Sequence, residues 1–143
     1  MSTVTLEQAL TITRGALQHA LEVSAAPLTV AVLDSAGRLV SLQRQDGSSL
    51  LRPDIATGKA WGAVALGRSS RGLAEVAAAR PAFMASVNVM AGGNIIPAAG
   101  GVLIRDAQNQ ILGAVGISGD QPDVDEACAI AGVKMAELVA DCA

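Results

Sequence analysis

The amino-acid sequence predicts a single α+β domain over residues 1–143, in which helices flank an antiparallel β-sheet. Two strand–turn–strand patterns occur, and helical segments precede, separate and follow them, in the order α-ββ-αα-ββ-α. Hairpins in this order, without single strands alternating with helices, are typical of α+β folds and not of parallel sheets. The 143 residues are also too few for two ordinary hydrophobic cores, and no linker or repeat divides them.

The first helix is predicted over residues 5–22, because its leucines recur at helical spacing and fall within one narrow sector. We expect that sector to face the core; it contains Leu6, Leu10, Leu17 and Leu21. Pro27 ends any continuation of this helix. Leu28–Leu33 and Arg38–Arg44 then form a predicted hairpin around the turn 34–37.

The central helices are predicted over residues 53–67 and from Ser69 or Ser70 to Ala79. Pro53 suits a first helical turn, Gly67 is a typical helix stop, and Pro81 lies beyond the second helix. A glycine-rich loop, residues 91–101, follows.

The second hairpin pairs Val102–Arg105 with Gln110–Ser118 around the turn 106–109. The last helix is predicted to begin near residues 120–122. Its apolar stripe comprises Val124, Cys128, Ala131, Met135 and Leu138. The acidic residues at its start suit the helix dipole and need no metal to explain them.

Composition excludes several classes of protein. A hydrophobic content of 51% against 16% charged residues excludes a disordered chain. No apolar stretch approaches the ~18 residues of a membrane span, and no secretory signal is visible, so we expect a cytoplasmic protein without a membrane partner. A net charge of −3 disfavours nucleic acid as a partner.

The chain is poor in aromatic residues, with one Trp, one Phe and no Tyr. A small chain built from small side chains buries little apolar area, and area shared between subunits offsets this deficit. We therefore expect a homo-oligomer, a dimer or a larger ring. Cys128 and Cys142 are expected to be unpaired, and too few Cys and His residues are present for a zinc site.

Several segments follow one another in an order that resembles the GlcG/HbpS family, which includes the C-terminal domain of PduO-type corrinoid adenosyltransferases. They are Val30–Asp34, Asp46-Gly47, Lys59-Ala60, Ile96–Val102, Gly113–Gly119 and Asp125-Glu126. The resemblance runs over most of the chain, and Pro-Ala-Ala-Gly-Gly-Val is its most specific part. It implies a profilin-like fold, oligomeric assembly and, in some members, haem binding.

His19, the chain's one histidine, is the candidate axial ligand to haem iron. It lies roughly 160° around the first helix from the leucines. Its own face carries Ile12, Gly15 and Ala16, which we expect to be turned away from the domain's core. Haem-binding members of the family can use a histidine on this helix. The alternative is a partly exposed histidine at a subunit contact, and no other metal site is expected.

Lys59 is one of two lysines, and in the family this lysine lies on a helix that faces the Pro-Ala-Ala-Gly-Gly loop across a cleft. A lysine there can bind an anionic substrate or, once desolvated, act as a base or Schiff-base nucleophile. The candidate catalytic set is Lys59, Asp46 and Asn94, and the further substrate-binding candidates are Arg44, Pro97, Gly100 and Gly101. The alternative is a salt bridge from Lys59 to Asp46 or Asp54.

Three functions remain open on this basis. The favoured one is a small-molecule-binding protein with haem as its ligand. The second is a cofactor-free enzyme of isomerase or lyase type, because neither a nucleotide-binding nor a metal-binding motif is present. The third is an oligomeric accessory subunit that acts through its interfaces. Fold analogy does not choose among them.

Overall fold

A computed structural model describes residues 2–143 and places five strands in one antiparallel sheet. The strands are β1 (Thr29–Asp34), β2 (Leu39–Arg44), β3 (Gly101–Arg105), β4 (Ile111–Ser118) and β5 (Val139–Asp141). Their spatial order is β2-β1-β4-β3-β5. The five helices are α1 (Leu6–Glu22), α2 (Arg52–Leu66), α3 (Ser70–Ala79), α4 (Pro81–Met90) and α5 (Pro122–Met135).

Helices cover both faces of the sheet, because the inner strands are apolar on both sides. Val30, Val32 and Ile117 pack on one face beneath α1 and α5. Leu33 and Leu103 pack on the other face beneath α2. Beyond α2, a smaller core of Leu73, Met84 and Ile95 joins α3, α4 and the glycine-rich loop. The predicted α+β class, the profilin-like sheet and the order of elements are confirmed.

Two elements add to the predicted order. The chain forms α4 directly after α3, because Pro81 occupies the first turn of a new helix, where its missing N–H costs nothing. At the other end, α5 stops at Met135, and Leu138, predicted on its apolar stripe, precedes the three-residue strand β5. Such a short edge strand has too few residues to show the alternation that predicts strands.

The buried face of α1 differs from the prediction. Leu6, Leu10 and Leu21 are 57%, 40% and 82% exposed, whereas Ile12 and Ala16 are fully buried. The expectation that the leucines face the core is therefore wrong, and so is the expectation that the face of Ile12, Gly15 and Ala16 is turned outward. Small residues face α5 instead and allow a close approach. A Cβ atom on Gly132, for instance, would overlap the Ile12 carbonyl oxygen.

The helix α2 lies equally close to the sheet on the opposite face. A Cβ atom on Gly116 of β4 would overlap the carbonyl oxygen of Ala56 in α2. Gly67 ends α2 in the left-handed conformation with φ 68°, and the Ser69 side chain caps α3 by accepting from Gly72 N–H, as predicted. Among residues 2–143, no helix combines the length and apolarity needed to cross a membrane.

Candidate functional site

A cleft of about 570 Å³ lies between α2 and the glycine-rich loop. The α2 residues that line it recur at helical spacing, so residues from three successive turns face the same space. The lining comprises Leu51, Asp54, Ile55, Thr57, Gly58, Trp61, Gly93, Asn94 and Ile96. A cleft of this volume, mostly apolar with a few polar groups, has the size and character of a small-molecule site.

The loop wall of the cleft is held by its own hydrogen bonds. The Asn88 side chain donates to the Ile95 carbonyl oxygen at 3.0 Å and accepts from the Ile95 N–H at 3.0 Å. Asn94 donates to the Ala91 carbonyl oxygen at 2.8 Å. On the α2 side, Gly58 leaves room for Ile96, whose Cγ1 atom would lie 2.5 Å from a Cβ atom there. These contacts hold the loop wall of the cleft in place against α2.

Two residues of the cleft were not among the sequence candidates. Trp61 packs against both small cores on this side of the sheet and lines the cleft with its remaining surface. Asp54 is exposed and forms neither a salt bridge nor a hydrogen bond among the described residues. The spacing 51, 54, 58 and 61 on one helix face was the signal that could have identified them, together with the uniqueness of the tryptophan.

Lys59 lies on α2 but points away from the cleft, into the protein. Its side chain is 3% exposed, and Nζ donates to the Ile117 carbonyl oxygen at 2.9 Å and to Asp125 Oδ2 at 3.2 Å. The predicted alternative partners, Asp46 and Asp54, are therefore wrong. Burial lowers the pKa of Lys59 and raises the pKa of Asp125, and the attraction between the two charges opposes both shifts.

The Gly100–Gly101 part of the loop covers this lysine. A Cβ atom on Gly100, at φ 129°, would lie 2.8 Å from Lys59 Nζ, and one on Gly101 would overlap the Lys59 carbonyl group. Gly101 N–H also donates to Ser70 Oγ at 2.6 Å, while Pro97 is half-buried. The two glycines thus close the space around Lys59, and the open wall of the cleft is formed by residues 93–96.

Arg44 and Asp46 line a different space, a shallow groove of about 520 Å³ between the end of α1 and the end of β2. Asn94 lines the cleft, and Lys59 is enclosed behind it. The three candidate catalytic residues therefore occupy three separate places.

The acidic start of α5 forms cross-links between elements. Beyond the Lys59 pair, Asp125 Oδ1 accepts from the Asp120 N–H at 2.9 Å. Glu126 accepts from Arg71 Nε of α3 at 2.8 Å. Asp120 accepts from the Ala26 N–H at 2.7 Å, and this backbone hydrogen bond lowers the pKa of Asp120. No side chain among the described residues caps α5. Its acidic residues therefore suit the helix dipole, as predicted, and also tie α5 to neighbouring elements.

His19 lies on the other side of the sheet from the cleft, because α1 and α2 cover opposite faces. The side chain is 32% exposed, and its Nδ1 atom lies 3.8 Å from Glu22 Oε2 one turn later. Nε2 has no hydrogen-bond partner among residues 2–143. Within those residues, no three His, Cys, Asp or Glu side chains gather into a metal site.

The family model for the haem degrading protein HbpS-like family matches residues 4–134. The chain belongs to the HbpS-like family. The HbpS crystal structure is 27% identical with a TM-score of 0.80, covering 94% of this chain and 90% of that chain. Klebsiella pneumoniae protein ORFY is 25% identical with a TM-score of 0.86, covering 96% and 92%.

A third solved structure, PduOC in complex with haem, is 21% identical with a TM-score of 0.86 and covers 97% of this HbpS-like chain and 99% of that chain. No match is found among curated proteins. The similarities extend over almost the whole length of each chain, so they confirm the fold and the family resemblance read from the sequence.

The two faces of this HbpS-like chain differ in how well their side chains suit haem. Among residues 2–143, the lining of the cleft includes no His, Cys, Met or Tyr, the usual axial ligands of haem iron, and its one charged residue is the anion Asp54. A porphyrin with two carboxylates does not fit such a lining. On the other face, His19 presents a partly exposed imidazole whose Nε2 atom has no hydrogen-bond partner in the described part of the chain, and this donor does suit haem iron.

Proposed function

We propose that this HbpS-like protein binds a small molecule, with haem as the ligand and His19 as its axial ligand. The observation that carries the proposal is the imidazole itself, one-third exposed on α1 with its Nε2 atom unpaired among residues 2–143. The family description, haem degrading protein, and a protein of the same fold in complex with haem support the choice of ligand.

Glu22 has a positioning role in this proposal. A histidine that ligates a metal usually directs its other ring N–H to a carboxylate or carbonyl, which fixes the tautomer and the ring orientation. Here Nδ1 faces Glu22 Oε2 at 3.8 Å, so a small side-chain rotation brings them into hydrogen-bond contact and leaves Nε2 for iron. Bound haem would supply the redox and oxygen chemistry, while the protein supplies the ligand and its orientation.

Homo-oligomerisation belongs to the same proposal. His19 is 32% exposed and lies at the edge of the α1 face that packs against α5, on the far side of the helix from the exposed leucines. Leu10 and Leu21 of the same helix are 40% and 82% exposed, and apolar surface of this kind is typical of subunit contacts. A second copy packed along these leucines would bury their apolar surface and leave the partly exposed His19, on the other side of α1, accessible to a ligand.

Haemin titration followed by the Soret band tests the proposal. We expect saturation by the wild-type protein and by Gln18→Ala, a matched change at the neighbouring exposed position. His19→Ala should shift or abolish the band, and Glu22→Gln should weaken binding about tenfold. A band unchanged in His19→Ala removes His19 from the site, and no saturable band in the wild type refutes haem as the ligand.

A cofactor-free isomerase or lyase is the second candidate function. The observation that favours it is the cleft, in which an unpaired carboxylate, Asp54, and an amide, Asn94, border the same space. Asp54 would act as the base and Asn94 would orient the substrate. Lys59 can join only if its pair with Asp125 opens, and Asp46 takes no part, because it lines the separate groove beside α1.

Turnover assays with small neutral and amine substrates test this second candidate. We expect Asp54→Asn and Asn94→Ala to abolish any turnover without unfolding the protein. Equal turnover in wild type and both variants would refute it. An accessory role is favoured if cleft variants are silent while variants of the exposed α1 leucines lose function in cells.

A further inference from the structure

The cleft between α2 and the glycine-rich loop carries a negative charge without a positive one. Asp54 is its only charged lining residue, and this carboxylate has no cationic partner among the described residues. The nearest basic residue along the chain, Arg52, is turned elsewhere, since its Nη1 atom donates to Ser118 Oγ at 2.9 Å. Lys59 is enclosed with Asp125. A carboxylate or phosphate entering the cleft would thus meet repulsion and no compensating cation.

The rest of the cleft is arranged along the helix axis from Asp54. Ile55 and Gly58 follow, and Trp61 lies seven residues beyond Asp54, which is about 10 Å along an α-helix. Ile96 faces them from the loop. The floor between the carboxylate and the indole is formed by Ile96, whose Cγ1 atom occupies the space that a Cβ atom on Gly58 would need. An aromatic or aliphatic body can lie on this floor against Trp61.

We propose that this cleft binds an amphipathic organic cation, an amine or quaternary ammonium whose apolar body is about 10 Å long. The ammonium pairs with the Asp54 carboxylate, and the apolar body lies against Ile55, Ile96 and Trp61. Asn94 at the rim supplies a polar contact for a hydroxyl or amide on the ligand. The site is separate from His19 and does not depend on haem binding, since α1 and α2 cover opposite faces of the sheet.

Trp61 makes the site directly observable, because it is the one tryptophan in the chain. The experiment titrates the full-length protein with 4-phenylbutylamine, 4-phenylbutanol and 4-phenylbutanoate and follows tryptophan fluorescence, with calorimetry as the second measurement. The three probes share one body and differ in charge. We expect the amine to bind on the order of tenfold more tightly than the carboxylate, with the alcohol between them.

Two matched variants test the role assigned to Asp54. Asp54→Asn should weaken amine binding about fivefold and reduce the difference between amine and carboxylate. Asp46→Asn makes the same change of net charge in the groove beside α1 and should leave all three affinities unchanged.

The proposal is overturned if the carboxylate binds as tightly as the amine, or if Asp46→Asn weakens amine binding as much as Asp54→Asn. It is also overturned if neither fluorescence nor calorimetry detects the amine at millimolar concentration. Because the haemin experiment reads the Soret band and His19, failure of either proposal leaves the other intact.

Discussion

Removing either partner of the buried Lys59–Asp125 pair should destabilise the protein far more than removing both together. The two side chains are 3% and 1% exposed, and their Nζ and Oδ2 atoms lie 3.2 Å apart. Lys59→Met leaves the Asp125 carboxylate buried with only backbone donors, such as the Asp120 N–H at 2.9 Å. Asp125→Asn leaves a buried ammonium with two neutral oxygen acceptors.

The expected magnitudes follow from this burial. Breaking a buried pair by removing one charge costs about 3–5 kcal/mol, because the remaining charge loses its compensation. Lys59→Met/Asp125→Asn leaves no buried charge and keeps an acceptor for the Asp120 N–H. We expect the double variant to lose no more than either single variant, which corresponds to a coupling energy of at least about 3 kcal/mol.

Urea unfolding provides the measurement, with far-UV circular dichroism as one probe and Trp61 fluorescence as the other. A domain of this size has a free energy of unfolding of about 5–15 kcal/mol, so the losses are large enough to measure against it. Conservative controls are Lys134→Met and Asp46→Asn, which remove exposed charges of the same type.

Single-variant losses below about 1 kcal/mol would refute the reasoning, because they would place the pair at a hydrated surface. Strict additivity would refute it equally, because it would mean that the two charges do not interact. Retention of any enzymatic turnover by the double variant would show that Lys59 supports the fold and takes no part in chemistry.

Three further outcomes are expected. Gly116→Ala should lower the urea midpoint strongly, because its Cβ atom would overlap the Ala56 carbonyl oxygen, and unchanged stability would contradict that close packing. Asp120→Ala should destabilise at neutral pH, since the Ala26 N–H lowers the pKa of Asp120 below 3.8 in the folded state. That contribution is complete above pH 3.8 and is lost as the pH falls through the folded-state pKa, so the two proteins should converge in acid. Leu10→Glu should reduce the mass measured by light scattering while the far-UV circular dichroism spectrum stays that of a folded domain, whereas an unchanged mass would exclude this face of α1 as a subunit contact.

Most of the fold was predictable because its signals are local. Turn residues between apolar runs predict the two hairpins. Gly67 predicts the end of α2, and Ser69 predicts the start of α3. β5 was not predictable from local pattern, because its three residues pair with β3 across the fold and carry no period of their own. The helix α4 was missed because Pro81, read as the end of α3, also begins a new helix.

The candidate site was predictable only in part. Asn94 lines the cleft as expected, and the sequence located both the helix and the loop that form it. Asp54 and Trp61 were missed although their spacing was visible. Lys59 was placed on the right helix, but the sequence does not show which way a side chain leaves a helix whose two faces are both lined with small residues. Its partner Asp125 is 66 residues away along the chain.

By itself, the amino-acid sequence determined the family, the hairpins, the limits of most helices and the presence of a single imidazole, because these depend on neighbouring residues. The tertiary structure decided which face of α1 is buried, which carboxylate neutralises Lys59 and which charge remains in the cleft. Those outcomes depend on how closely backbones approach. Glycines such as Gly116 and Gly132 permit that approach, but the sequence does not show which backbone segment will lie against them. In the folded protein these segments are Ala56 and Ile12.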